Sequence, residues 1–234
     1  SFAPSPRVRA DLAKLEQRLA AEFRKRNVGA ILVEPIQGRG GTNIPPPGFL
    51  KLLHNVCNKH GALLICDEVY TGFGRTGRWF ASEHFGVTPD ILCLGKALTG
   101  GFPLSACVGR ADVMDRAWPE STGEAIHTST FLGHPVGCAA GVAAIRIYQE
   151  RKILDHVRKV APKFQGHLQR LKDHPLVGEA RGVGLIGALE LVMDKNSAEQ
   201  YPAEVKAGAT LAARAQHPHL VGATLRFKCF DVGF

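Results

Sequence analysis

The sequence contains no apolar run of the ~18 residues that a membrane-spanning helix needs. Its opening stretch, SFAPSPRVRADLAKLEQRL, places charges where a secretory signal requires an apolar core. No CxxC pair occurs among the cysteines Cys57, Cys66, Cys93, Cys107, Cys138 and Cys229, and the histidines form neither HExxH nor a spaced Cys/His cluster. A metal site is therefore not expected, and the cysteines read as free, buried thiols of a reducing cytoplasm. Acidic residues are in deficit, 21 against 29 basic, for a net charge of +8. The basic residues are scattered over helical segments as solvated faces, which points away from nucleic acid, while the excess charge favours small anions such as phosphates and carboxylates.

What is present fits a globular chain. Its 234 residues, 45% hydrophobic and 21% charged, are enough for one large domain or two smaller ones. Leu12, Leu15, Leu19 and Phe23 recur at helical spacing within residues 9–26. The apolar run VGAILVEPI then reads as a strand, QGRGGTNIPPPG as a loop, and FLKLLHNVCNKH as a second helix stopped by Gly61. ALLICDEV (62–69) and ILCLGKAL (91–98) read as two further buried strands. Apolar strands alternating with helices imply an α/β architecture, a parallel or mixed sheet covered on each side. A long helical tract follows from Pro135, and HPLVGEARGVGLIGALELV reads as two strands joined by a turn, so a second, smaller unit is expected from about residue 150.

Two motif matches fail in context. GVGLIG (182–187) satisfies GxGxxG, but the alternating ALELVMDK after it has no helical pattern to hold a pyrophosphate, so a nicotinamide-dependent oxidoreductase would require a helix after Gly187. LGKA lacks the upstream glycine and following Ser or Thr of a P-loop. CDEVYTGFGRTG is more informative. Asp67 and Glu68 close an apolar strand at its C-terminal end, the edge where open α/β sheets bind ligands, and Lys96 lies at the matching end of the next long strand. A lysine at the inner end of a core strand needs a partner or must lose its charge. A buried Asp67–Lys96 ion pair and a functional acid–amine pair both satisfy that need.

VEPIQGRGG, ICDEVYTGFGRTGRWFASEHFGVTPDILCLGKALTGGFPLSA and HTSTFLGHPVGCAA resemble, in order and spacing, the core of the class III aminotransferases of fold type I. The resemblance implies a mixed, mostly parallel sheet with helices on both faces. Residues 1–149 would form part of the large domain, and 150–234 an incomplete small α+β domain. It implies pyridoxal 5'-phosphate as cofactor, held on Lys96 through a Schiff base, with Asp67 on the pyridinium nitrogen and Glu68, Val69 and Tyr70 beside the ring. Lys96 would also move the proton during transfer of an amino group between an amine or amino acid and a 2-oxo acid. Thr130 would reach the phosphate of a neighbouring subunit's cofactor, implying a homodimer with shared active sites, and Ser129 would lie at the substrate. Taken alone, TST is a turn or helix cap.

Two departures narrow the analogy. Family members acting on ornithine-like or 4-aminobutyrate-like substrates have Gln at the place of Tyr70, and a glutamate gate at the place of Arg39. An arginine cannot form that gate, which turns the expectation away from the usual ω-amino-acid and acetylornithine substrates. TLRF (224–227) resembles the segment with the family's carboxylate-binding arginine and suggests Arg226, although the prolines after it are absent and an exposed surface arginine is the plain reading. The resemblance places these motifs in the second half of a complete member, so residues 1–28 have no counterpart of the upstream phosphate loop and stacking aromatic. The expectation is a fragment with an open sheet edge, inactive alone. Aminomutase, racemase or decarboxylase chemistry on the same fold, and a silent interaction module, are the alternatives.

Overall fold

The computed structural model describes residues 12–117 and 129–197. Helix α1 (Leu12–Lys25) leads into strand β1 (Ala30–Val33), helix α2 (Phe49–His60), β2 (Leu63–Asp67), β3 (Ile91–Leu94), β4 (Ala106–Gly109) and the short helix α3 (Ala111–Ala117). These strands form one sheet in the order β1-β2-β3-β4, parallel from β1 to β3 and antiparallel between β3 and β4. Helix α2 stops where Gly61 turns left-handed at φ 66°, returning its amide to the carbonyls of Cys57 and Asn58.

The core lies between one face of this sheet and α2. Leu50, Leu53 and Cys57 of the helix meet Leu64 and Cys66 of β2, with Leu19 and Phe23 of α1 packed against the cluster. The sheet is mixed and mostly parallel with helices packed on it, as the sequence led one to expect. Helices α1 and α2 both lie against the Leu64 face, and on the opposite face Leu32 of β1 is 66% exposed.

The strand expected over 91–98 ends at Leu94. Gly95 stays extended, and Lys96 enters the left-handed region at φ 44°, opening a single 3-10 turn over Lys96–Leu98. The helical tract from Pro135 divides into α4 (Pro135–Glu150) and α5 (Ile153–Arg170), broken at Lys152 with φ 50°, while Pro162 is accommodated inside α5. An antiparallel hairpin follows, β5 (Val177–Val183) and β6 (Ile186–Leu191). The residues after Gly187 thus form a strand, and a glycine-fingerprint nucleotide site there has no helix to rest on. No helix among the described residues is long and apolar enough to cross a membrane.

Candidate active site

Three chain exits from the C-terminal edge of the sheet build the site. At the end of β2, Asp67 is in register with Cys93 of β3, and its Oδ1 accepts a hydrogen bond from the amide of Val69 at 3.0 Å. Asp67 is half-buried. The next carboxylate is treated differently. Glu68 is completely buried, and its carboxylate accepts from the hydroxyl of Thr71, from the amide of Ala81 at 2.9 Å and from that of Ser82 at 2.8 Å. Both amides open the 3-10 helix Ala81–Phe85, so the acid closes loop 71–82 against the strand end. Glu68, expected among the residues beside the cofactor ring, has its carboxylate fully committed to this loop.

Lys96 lies at the end of β3, on the same edge as Asp67. It is exposed: the left-handed turn after Gly95 swings the residue out of the strand line. No ion pair joins it to Asp67 among the described residues. Its Nζ stands 5.5 Å from the centre of the Tyr70 ring, and the Arg75 guanidinium carbon lies 5.7 Å from the same centre. A non-glycine residue held at positive φ is a constraint of the kind that collects at functional sites. Val69 packs on the backbone between these groups: a Cβ on Gly95 would come to 3.4 Å from its Cγ1.

The third exit follows β1. Glu34 accepts the amide of Gly38 at 2.7 Å, and Gly38 lies so close under Tyr70 that a Cβ there would meet the ring at 2.7 Å. The turn Gly38–Thr42 is closed by the Gln37–Asn43 bridge, and Arg39 is exposed on it. Ser129 and Thr130 are exposed in the turn before α4, where Ser129 accepts the amide of Leu132 at 3.0 Å. Within the described chain no hydrogen bond or ion pair brings them to Asp67 or Lys96. Arg226 lies outside the described residues.

Sequence reasoning missed what holds these exits in place. Arg181 of β5, only 8% exposed, donates from Nε to the carbonyls of Gly41 at 2.9 Å and Thr42 at 3.2 Å. Its Nη1 pairs with Glu190 at 3.0 Å and Glu179 at 3.3 Å. At the hairpin tip the Leu185 amide donates to the carbonyl of Arg75 at 2.9 Å, and Gly184 sits where a Cβ would come within 2.5 Å of the Thr76 backbone. The hairpin thus fastens both the Arg39 turn and the loop carrying Arg75. A charged residue inside the apolar GEARGVGLIG strand was the available signal. Tyr148 of α4 reaches the carbonyl of Ala97 at 3.3 Å, steadying the turn that begins at Lys96. Beneath the site, burial and then the nearby Glu68 push the Cys66 thiol up to about 12, leaving it inert.

The family profile "Aminotransferase class-III" matches residues 5–221. The chain belongs to the class III aminotransferases. It is 42% identical over 190 residues to the putrescine–pyruvate aminotransferase of Pseudomonas aeruginosa, covering 80% of this chain and 41% of that protein. It is 38% identical over 206 residues to the omega-amino acid–pyruvate aminotransferase of Pseudomonas putida, covering 86% and 45%. An (S)-enantioselective omega-transaminase from Thermomicrobium roseum superimposes with a TM-score of 0.79 at 36% identity, over 88% of this chain and 46% of that one. The fold is therefore that of the α/β transaminases, and the chain spans about half the length of the curated relatives it matches.

Proposed function

We propose that this chain carries the cofactor-anchoring half of an aminotransferase that moves an amino group between an amine or amino acid and a 2-oxo acid. The observation that carries the reading is the placement of Asp67 and Lys96 at the same edge, on the ends of adjacent parallel strands, with the Tyr70 ring beside the amine. The residues fit pyridoxal 5'-phosphate: a half-buried acid for the ring nitrogen, an accessible amine for the aldehyde, and apolar Val69 with Tyr70 to line the space between. When bound, that group supplies an aldehyde that condenses with amines and a ring that accepts electrons.

This chain's own groups do the rest. The amide of Val69 fixes one oxygen of Asp67, leaving the other to hold a proton on a ring nitrogen. Lys96 Nζ would hold the aldehyde of that group and, when free of it, would serve as the base and acid that moves a proton. Glu68 keeps loop 71–82 closed around them. Thr130 serves the phosphate across a homodimer interface, with Ser129 and Arg226 on the substrate side. Residues 1–149 belong to the large domain and 150–234 to the small one, in keeping with the second sheet lying wholly after residue 150. The reading also assigns a reducing, cytoplasmic setting, in keeping with the free cysteines.

Titration with pyridoxal phosphate followed by borohydride tests this reading. The expected result is an absorbance band near the visible edge, then a reduced adduct mapped to Lys96 and absent from Lys96→Ala. An adduct spread over surface lysines, or none, defeats it. Amine-dependent conversion of a 2-oxo acid then separates amino transfer from racemisation, decarboxylation or a silent homologue.

A further inference from the structure

We infer that Cys93 and Cys107 form a redox-active dithiol on the sheet face that the described residues leave open, a modification site independent of the proposed amino-transfer chemistry. The two residues are direct cross-strand partners in the antiparallel β3–β4 ladder. The ladder also fixes which kind of pair they make. The amide of Arg110 donates to the carbonyl of Asp90 at 3.0 Å, marking Asp90–Arg110 as a hydrogen-bonded pair. Bonded and non-bonded pairs alternate along an antiparallel ladder, so with the register Ile91–Gly109, Leu92–Val108, Cys93–Cys107, the cysteines occupy a non-bonded position. Their Cα atoms at such a position lie about 4.5 Å apart, with both side chains on the same face. That separation is at the short end of the range a disulfide bridges, the condition for a bond that forms and is reduced again readily.

Burial makes the two thiols unequal, and in a useful order. Cys107 is exposed and Cys93 half-buried, which corrects the expectation of uniformly buried thiols, since β4 turns Cys107 outward. Burial first, then the neighbouring Cys107 and Asp67, push the Cys93 thiol above its ordinary value. Cys107 therefore meets an oxidant first. With a low-molecular-weight disulfide such as oxidised glutathione, the Cys107 thiolate attacks one sulfur and expels one glutathione thiolate. Cys93, losing its proton, then attacks the Cys107 sulfur and expels the second. Two protein thiols are oxidised by two electrons, and one glutathione disulfide is reduced to two thiols. The new bond closes a ring of chain that includes Lys96.

The test treats the native chain with oxidised glutathione, quenches with N-ethylmaleimide and maps the peptides by mass. The expected result is a Cys93–Cys107 linked peptide, two hydrogens lighter, while exposed Cys138 on α4 carries only glutathione. In Cys93→Ser, Cys107 stops at the glutathione adduct, and in Cys107→Ser, Cys93 stays largely unmodified. Equal glutathionylation of Cys107 in the parent chain and in Cys93→Ser, with no linked peptide, overturns the proposal. Phenylarsine oxide gives a test on the unmutated chain. One equivalent should be captured at these two cysteines and released by a dithiol but not by a monothiol. Failure of that capture also overturns it.

Discussion

Two loops leave the same sheet edge from neighbouring strands and are built in opposite ways. Loop 71–82, after β2, folds around the carboxylate of Glu68, which takes one hydroxyl and two amides and is wholly buried. The segment after β3 leaves Lys96 exposed, in a left-handed backbone and beside an aromatic face. The first is closed on itself, and the second remains open to a ligand. Adjacent residues divide the labour in the same way, with Glu68 satisfied inside the protein and Asp67 keeping one oxygen uncommitted among the described residues. Buried polar groups here fix the platform, while the groups proposed to carry chemistry stay at its rim.

The sharpest way to break this contrast is to remove each carboxylate in turn. Glu68→Ala strands three buried donors and is expected to cost roughly 3–5 kcal/mol in urea unfolding. Asp67→Asn should cost less than about 1 kcal/mol, since an amide oxygen can still accept from Val69, yet abolish the borohydride-trapped adduct with pyridoxal phosphate. Similar stability losses at the two positions would erase the distinction. Arg181→Met should come next, at about 3 kcal/mol, because it leaves Glu179 and Glu190 without their shared partner. Hydrogen exchange should show the protection lost first at Gly41–Asn43. Lys96→Gly removes the side chain and relieves its left-handed backbone, so the free energy of unfolding should hold or rise by up to about 1 kcal/mol while the adduct vanishes.

The smallest effect concerns pH. Burial first, then the nearby Arg78, hold the His84 ring below its ordinary value, and its Nε2 lies 3.0 Å from the Thr76 hydroxyl. The unfolded chain then binds the extra proton more readily, so this group lowers stability as pH falls below about 6.5. His84→Gln should flatten the change in thermal midpoint between about pH 7 and 5.

Much of this was legible in the sequence. Apolar runs announced β1, β2 and β3, helical spacing announced α1 and α2, and the charged ends of two such runs announced Asp67 and Lys96. The misses have physical causes. β4 is only four residues, ACVG, with Cys107 and Val108 exposed, so it shows no buried pattern. The break at Lys152 uses neither glycine nor proline, whereas Pro162, a usual breaker, sits inside α5. Arg181 could not be tied to the Arg39 turn because its acceptors there are backbone carbonyls with no side-chain signature, at Gly41 and Thr42.

That long reach has a consequence for synthesis. A ribosome releases the Arg39 turn well before it has translated the β5–β6 hairpin that grips it, so the nascent chain carries an unfastened turn until those strands emerge. Competence to hold a ligand arrives late, when the guanidinium emerges and locks the wall into place.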